Sequence, residues 1–169
     1  MRGRFFLFVF LGGIVSLAEG CVSTSSLDSS LTLGPSPSWE TSRAFQKAVQ
    51  SEAGSRAFEQ ARIDYLLEQV SNSPYNFIRN GQSYSGKRAW VHFKWKYFLN
   101  VKQVKTAEEF IDRVATYSKM SGDPYLVQWP DKSRHPLHPL LVNELRLFDQ
   151  QVETKRKLTT QTSEEAHPS

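Results

Sequence analysis

Cysteine is nearly absent from this 169-residue chain: Cys21 stands alone, so no internal disulfide can staple the fold and no thiolate cluster can hold a metal. Long apolar runs are missing too. The longest, from Phe5 to Val15, is relieved by Gly12 and Gly13 and falls well short of the roughly 20 residues that a membrane-spanning helix requires. No segment repeats itself, which excludes solenoids and tandem arrays. Acidic side chains are lacking in one region above all. Between Gln69 and Ala107 there is no Asp or Glu, whereas Arg79, Lys87, Arg88, Lys94, Lys96, Lys102 and Lys105 all fall there. The formal charge of +4 averages over that stretch and understates it.

What is present begins with Arg2 and Arg4, then the apolar run, then Ser16-Leu17-Ala18-Glu19-Gly20-Cys21. A charged start, a short apolar centre and small residues at the end predict an export signal over residues 1–20. The stretch resembles a bacterial lipoprotein signal, although Leu17 lies four residues before Cys21 rather than three, and Glu19 intrudes. That resemblance implies lipidation at Cys21 and, with Val22 next, an outer-membrane lipoprotein facing the periplasm. Ala18-Glu19-Gly20 equally suits ordinary signal peptidase, which would leave a soluble periplasmic protein. Residues 21–41 are rich in Ser and Thr with Pro35 and Pro37, and they bury too little to offset ordering entropy, so they read as a tether. Residues 154–169 read as a disordered polar tail, leaving 42–153 as a single domain.

Periodicity within that domain predicts an α+β fold, mainly α, with about four helices, a short hairpin and a third short strand. Ser42 to Gln50 opens an amphipathic helix that Gly54 interrupts, and Ile63, Leu66, Leu67 and Val70 continue an apolar stripe at helical spacing. Asn80-Gly81, flanked by Asn76-Phe77-Ile78-Arg79 and Gln82-Ser83-Tyr84, predicts a hairpin. Ser85 can cap a helix from Gly86 to Leu99. Thr106-Ala107-Glu108-Glu109 is a capping box, opening a helix that buries Phe110, Ile111 and Val114 and ends at Gly122. Tyr125-Leu126-Val127-Gln128-Trp129 predicts the third strand, stopped by Pro130. Pro139 suits the first position of a last helix that buries Leu140, Leu141, Leu145, Phe148 and Val152.

Phe77-Ile78-Arg79-Asn80-Gly81, then Ala89 with His92 and Lys96, then Thr106-Ala107-Glu108-Glu109-Phe110-Ile111-Asp112, then Ser121-Gly122-Asp123-Pro124-Tyr125-Leu126-Val127 resemble the successive blocks of the YfeK-like family of small exported bacterial proteins. The resemblance runs from about Ala61 to Phe148. It implies export and a shared fold but no chemistry, because the family is a domain of unknown function. The basic pair Lys87-Arg88 and the aromatic loading of the helix that carries it depart from the family's pattern.

That helix carries two apolar arcs at 100° per residue: Ala89, Trp90, Phe93 and Tyr97 on one, Val91, Trp95, Phe98 and Leu99 on the other. Either it is a central helix sandwiched between neighbours, with lysines snorkelling outward, or one arc stays exposed as a docking surface. Lys87 and Arg88 stand near its N-terminus, where the helix dipole disfavours cations. Pairing with Glu108, Glu109 and Asp112 across helices would neutralise them. Unpaired, they form a cationic patch for phosphate or carboxylate.

Catalytic patterns are sparse. His92 and Lys96 lie one turn apart and Arg79 can approach from the hairpin as an anion-binding trio. Ser121-Gly122 fits a turn rather than a nucleophile elbow. His135 and His138 lack accompanying metal ligands, so no metal and no cofactor is expected. Glu144 falls within the last helix's apolar arc and calls for a partner such as Arg79 or Lys96. The expectation is therefore a non-enzymatic envelope module with a candidate surface of Arg79, Lys87, Arg88, His92, Lys94, Trp95 and Lys96. Its partners would be an envelope protein, anionic lipid or cell-wall polymer, and not nucleic acid. The alternatives are a small envelope hydrolase using His92 with Glu144, and a soluble periplasmic ligand carrier.

Overall fold

A computed structural model describes residues 32–34 and 39–165; the expected export signal, Cys21 and most of the expected tether lie outside the described residues. A 3-10 turn (Trp39–Thr41) leads into α1 (Arg43–Gln50) and α2 (Arg56–Asn72), followed by β1 (Asn76–Arg79), β2 (Gln82–Ser85) and α3 (Gly86–Asn100). Next, α4 (Ala107–Phe110) runs directly into a π-helical turn (Ile111–Ala115), and β3 (Leu126–Gln128), β4 (Arg134–Pro136) and α5 (Leu137–Glu165) follow. The strands form one antiparallel sheet in the order β2-β1-β3-β4. The fold is α+β and mainly α; the break at Gly54 divides the first helical stretch in two, so the described residues hold five helices rather than four.

Local chemistry accounts for most boundaries. Ser42 Oγ accepts the Phe45 amide and Ser55 Oγ the Phe58 amide, both at 3.2 Å, satisfying donors that a helix start leaves open. Thr106 Oγ1 accepts the Glu109 amide at 3.2 Å, while the Glu109 carboxylate reaches back to the Lys105 amide at 2.6 Å. Ser85 occupies the cap position of α3, but its hydroxyl makes no capping bond. In the hairpin turn Asn80 and Gly81 both have positive φ, 50° and 76°, as a two-residue turn between twisted strands requires.

Several boundaries differ from expectation. The helix opened by the capping box ends near Ala115, not Gly122, because the chain must turn back to lay Leu126–Gln128 beside β1. Tyr117 instead bridges to Pro124, and Gly122 (φ +76°) closes a tight turn onto Ser118. β4 was hidden by Pro136, which an edge strand tolerates since it needs no inward N–H there. α5 starts at Leu137, two residues before Pro139, and a first-turn proline forfeits no helical bond. α5 also continues to Glu165 through the segment expected to be a disordered tail. There the Arg156 guanidinium donates to the carbonyls of Ala48 (2.6 Å), Val49 (3.2 Å) and Ser51, capping the end of α1. At the other end, Leu33 falls in the expected tether yet is fully buried, and Trp39 packs on Phe45 and Tyr65.

α2 is the centre of the fold, with buried residues on most of its circumference, from Ala61 through Ile63, Tyr65, Leu66 and Leu67 to Val70. It also buries Arg62. The guanidinium bonds Glu59 of the same helix at 2.8 Å, Glu108 of α4 at 2.5 Å and Asp149 of α5 at 2.7 Å. Such a fork matches planar carboxylates and holds three elements at once. Burial pushes the Glu108 carboxyl up, but the hydrogen bonds and charge of Arg62, together with bonds from its own backbone amide and from Thr106, outweigh it and leave the group below its ordinary value. Because its folded pKa lies below the unfolded one, Glu108 contributes stability that is present above about pH 4 and lost as pH falls further. Arg62→Met should therefore lower stability by about 3 kcal/mol at pH 7. In urea titrations that deficit should shrink as the pH is taken below about 4.

Candidate functional site

Gly86 decides where α3 begins. A Cβ there would meet the Val70 carbonyl at 2.4 Å and the Ser73 carbonyl at 3.0 Å, so only glycine allows this approach to the end of α2. The first turns of α3 then face the hairpin across a cleft of about 520 Å³, within the range of small-molecule sites. Its floor is apolar, made by Phe77, Ile78, Ala89 and Phe93, and its sides carry Arg79, Lys87, Arg88, His92, Tyr84, Val91, Trp95 and Tyr125. None of these twelve residues is acidic.

One side of the cleft is a hydrogen-bonded chain. Arg79 Nη1 lies 3.3 Å from His92 Nδ1, and His92 Nε2 lies 3.0 Å from the Tyr125 hydroxyl. A guanidinium only donates, so Nδ1 accepts, and the neutral ring carries its proton on Nε2 and donates it to Tyr125. That assignment follows from the network. Burial, then the charges of Arg79 and Lys96, pull the His92 pKa down to about 4. The hydroxyl also accepts from Lys96 Nζ at 3.3 Å.

The structure gathers Arg79, Lys87, Arg88, His92 and Trp95 around this cleft and separates Lys94 and Lys96 from it. Lys94 lies over the Trp90 ring, 4.9 Å from its centroid. Lys96 is only 5% exposed, and its ammonium donates to the carbonyls of Val114 and Tyr117 (3.0 Å) where the π-helical turn ends. Burial, with Lys119 and Arg79 nearby, pulls its pKa down to about 8. Lys96 is thus an interior support of the site and not a surface cation. The missing neutralisation has a plain cause. Glu108 is turned to Arg62, Glu109 to Arg113 at 3.3 Å, and Asp112 to His138 at 3.0 Å. Among the described residues no ion pair reaches Arg79, Lys87, Arg88 or Lys94.

Glu144 does not meet Arg79 or Lys96. Its carboxylate accepts the Leu33 amide at 2.7 Å and the Tyr65 hydroxyl at 3.0 Å, and burial raises its pKa. It lines no part of the cleft, so it forms no acid and base pair there with His92. His135 stacks on Trp129 with centroids 4.1 Å apart, while His138 turns to Asp112. Tyr125 and Tyr84, which complete the cleft, escaped sequence reasoning because their role depends on β2 folding beside α3 and on the residue before β3 reaching His92.

The two arcs of α3 part company. Ala89 and Phe93 are buried, with Trp90 and Tyr97 packed at the edge of the core. Val91 (57%), Trp95 (59%), Phe98 (73%) and Leu99 (58%) are exposed. The sandwiched reading of α3 is therefore overturned, because α2 occupies the central place and nothing among the described residues covers the outer side of α3.

Residues 57–149, more than half of the chain, match a family described as a family of unknown function, DUF5329. The chain is also 35% identical over 74 residues to the uncharacterized protein YfeK of Salmonella typhimurium, an alignment covering 43% of this chain and 62% of that relative. No solved structure matches.

The network makes His92 a reporter of the site. Its folded pKa lies below the ordinary 6.5, so it contributes stability above about pH 6.5 that is lost as the pH falls toward 4. NMR titration should find the His92 ring neutral from pH 8 down to about 5.5 with a midpoint near 4, the resonance being assigned by its loss in His92→Gln. Arg79→Ala should move that midpoint upward.

Proposed function

The chain belongs to the family of unknown function DUF5329, and from that premise together with the chemistry of its cleft we propose that it is an exported cell-envelope protein acting as a non-enzymatic binding module for anionic ligands. One observation carries this reading: a cleft with an apolar floor, three cationic side chains and no carboxylate. Such a lining favours a ligand with an apolar body and a phosphate or carboxylate head. The arrangement of His92 supports binding over proton transfer. Its Nδ1 is held by Arg79, and a group with a pKa of about 4 is a weak base at neutral pH.

The export pattern at residues 1–20 and the position of Cys21 support an outer-membrane lipoprotein facing the periplasm. Without lipid on Cys21, the same cleft would serve a soluble periplasmic carrier. Cys21→Ala separates these two outcomes: the variant should leave the detergent-soluble envelope fraction, and unchanged fractionation would reject the anchor.

Hexyl phosphate is a suitable probe of the cleft, with hexanol as its uncharged counterpart. Calorimetry should show hexyl phosphate binding with one site and hexanol binding at least tenfold more weakly. Lys87→Glu/Arg88→Glu should weaken hexyl phosphate at least tenfold. Equal binding of phosphate and alcohol, or indifference to the double reversal, would remove the basis for the proposal.

A further inference from the structure

The outer arc of α3 extends past the cleft. Val91 and Trp95 stand at the rim, whereas Phe98 and Leu99 line no part of it, and together the four form one apolar stripe along the helix. A stripe of large apolar side chains held in water marks an interaction surface. Its borders are basic, with Lys87, Arg88 and Lys94 on the same helix. A symmetric dimer through this face would set these cations against their own copies, and no acidic residue occurs between Gln69 and Ala107 to offset them.

We propose that this arc docks on the surface of an anionic lipid bilayer, with Trp95 and Phe98 entering the headgroup boundary and the flanking lysines and Arg88 meeting lipid phosphates. The inference rests on the envelope-binding reading above and names its partner. Chain geometry favours a bilayer over a protein. Gly34 lies against Pro74 and Ser73, and Gly86 lies against Ser73 and Val70, so the N-terminal segment enters the fold at the corner from which α3 departs. The residues from Cys21 to Leu33 can span at most about 43 Å when fully extended. A lipid on Cys21 would therefore keep α3 within reach of the membrane at a high effective concentration.

The test reads where α3 lies, independently of any anchor. The processed full chain is incubated with vesicles carrying brominated acyl chains, either of phosphatidylcholine alone or containing phosphatidylglycerol. Trp95 emission, assigned by its loss in Trp95→Phe, should shift to the blue and be quenched only in the anionic vesicles. Phe98→Ser/Leu99→Ser should abolish the quenching. Lys94→Glu should weaken vesicle partitioning about fivefold or more. None of these three residues lines the cleft, so hexyl phosphate binding, measured on the same samples, should stay unchanged and would reveal a failure of the cleft reading separately. Equal quenching in both vesicle types, or quenching that survives Phe98→Ser/Leu99→Ser, overturns bilayer docking. Absence of quenching in either, with α3 crosslinking to an acidic protein in cells, also overturns it.

Discussion

The guanidinium of Arg62 holds together elements that are far apart in the chain. It reaches Glu59 on α2, Glu108 on α4 and Asp149 on α5, and Glu59 in turn accepts the Ala107 amide at 3.0 Å at the start of α4. A lysine could not replace it, because one ammonium cannot present paired parallel donors to several carboxylates. This junction also shapes the surface elsewhere. With Glu59, Glu108 and Asp149 turned to Arg62, Glu109 to Arg113 and Asp112 to His138, the cations of α3 have no acidic partner among the described residues.

The cleft depends on a second constraint, the close approach of two helix ends. Gly86 brings α3 against the carbonyls that end α2, and the Asn80-Gly81 turn folds β2 back so that Tyr84 and Arg79 face the same helix. Inside, Lys96 supplies donors to the carbonyls of Val114 and Tyr117 where the π-helical turn stops. The chain can then swing into β3 and bring the Tyr125 hydroxyl to His92. A cation buried for backbone support and cations left free at the rim thus sit on the same helix, a little over two turns apart.

Much of the local structure was legible from residue order. The Thr106 capping box, the hairpin turn, and the apolar spacing of α2 and α5 are short-range signals, because each acts within about one helical turn. The candidate surface was legible in part for the same reason: Lys87, Arg88, His92 and Trp95 share one helix, and Arg79 sits on the adjacent hairpin. What escaped was long-range. Leu33 reads as tether until Glu144 and Tyr65 are beside it, and Arg156 reads as a tail residue until the end of α1 is beneath it. A cation bonded to distant carbonyls leaves no periodic trace in sequence.

By itself, the sequence determined the α+β class, the hairpin, most helix starts, and a stretch of α3 that is basic, aromatic and free of acids. Those properties follow from composition and spacing along one strand of chain. Only the tertiary structure decided which arc of α3 is buried, which of its cations are free, and which carboxylates are unavailable to them. The physical reason is that periodicity specifies two apolar faces but not what each will meet. That choice was made by α2 taking the centre of the core and by Arg62 claiming the acids around it.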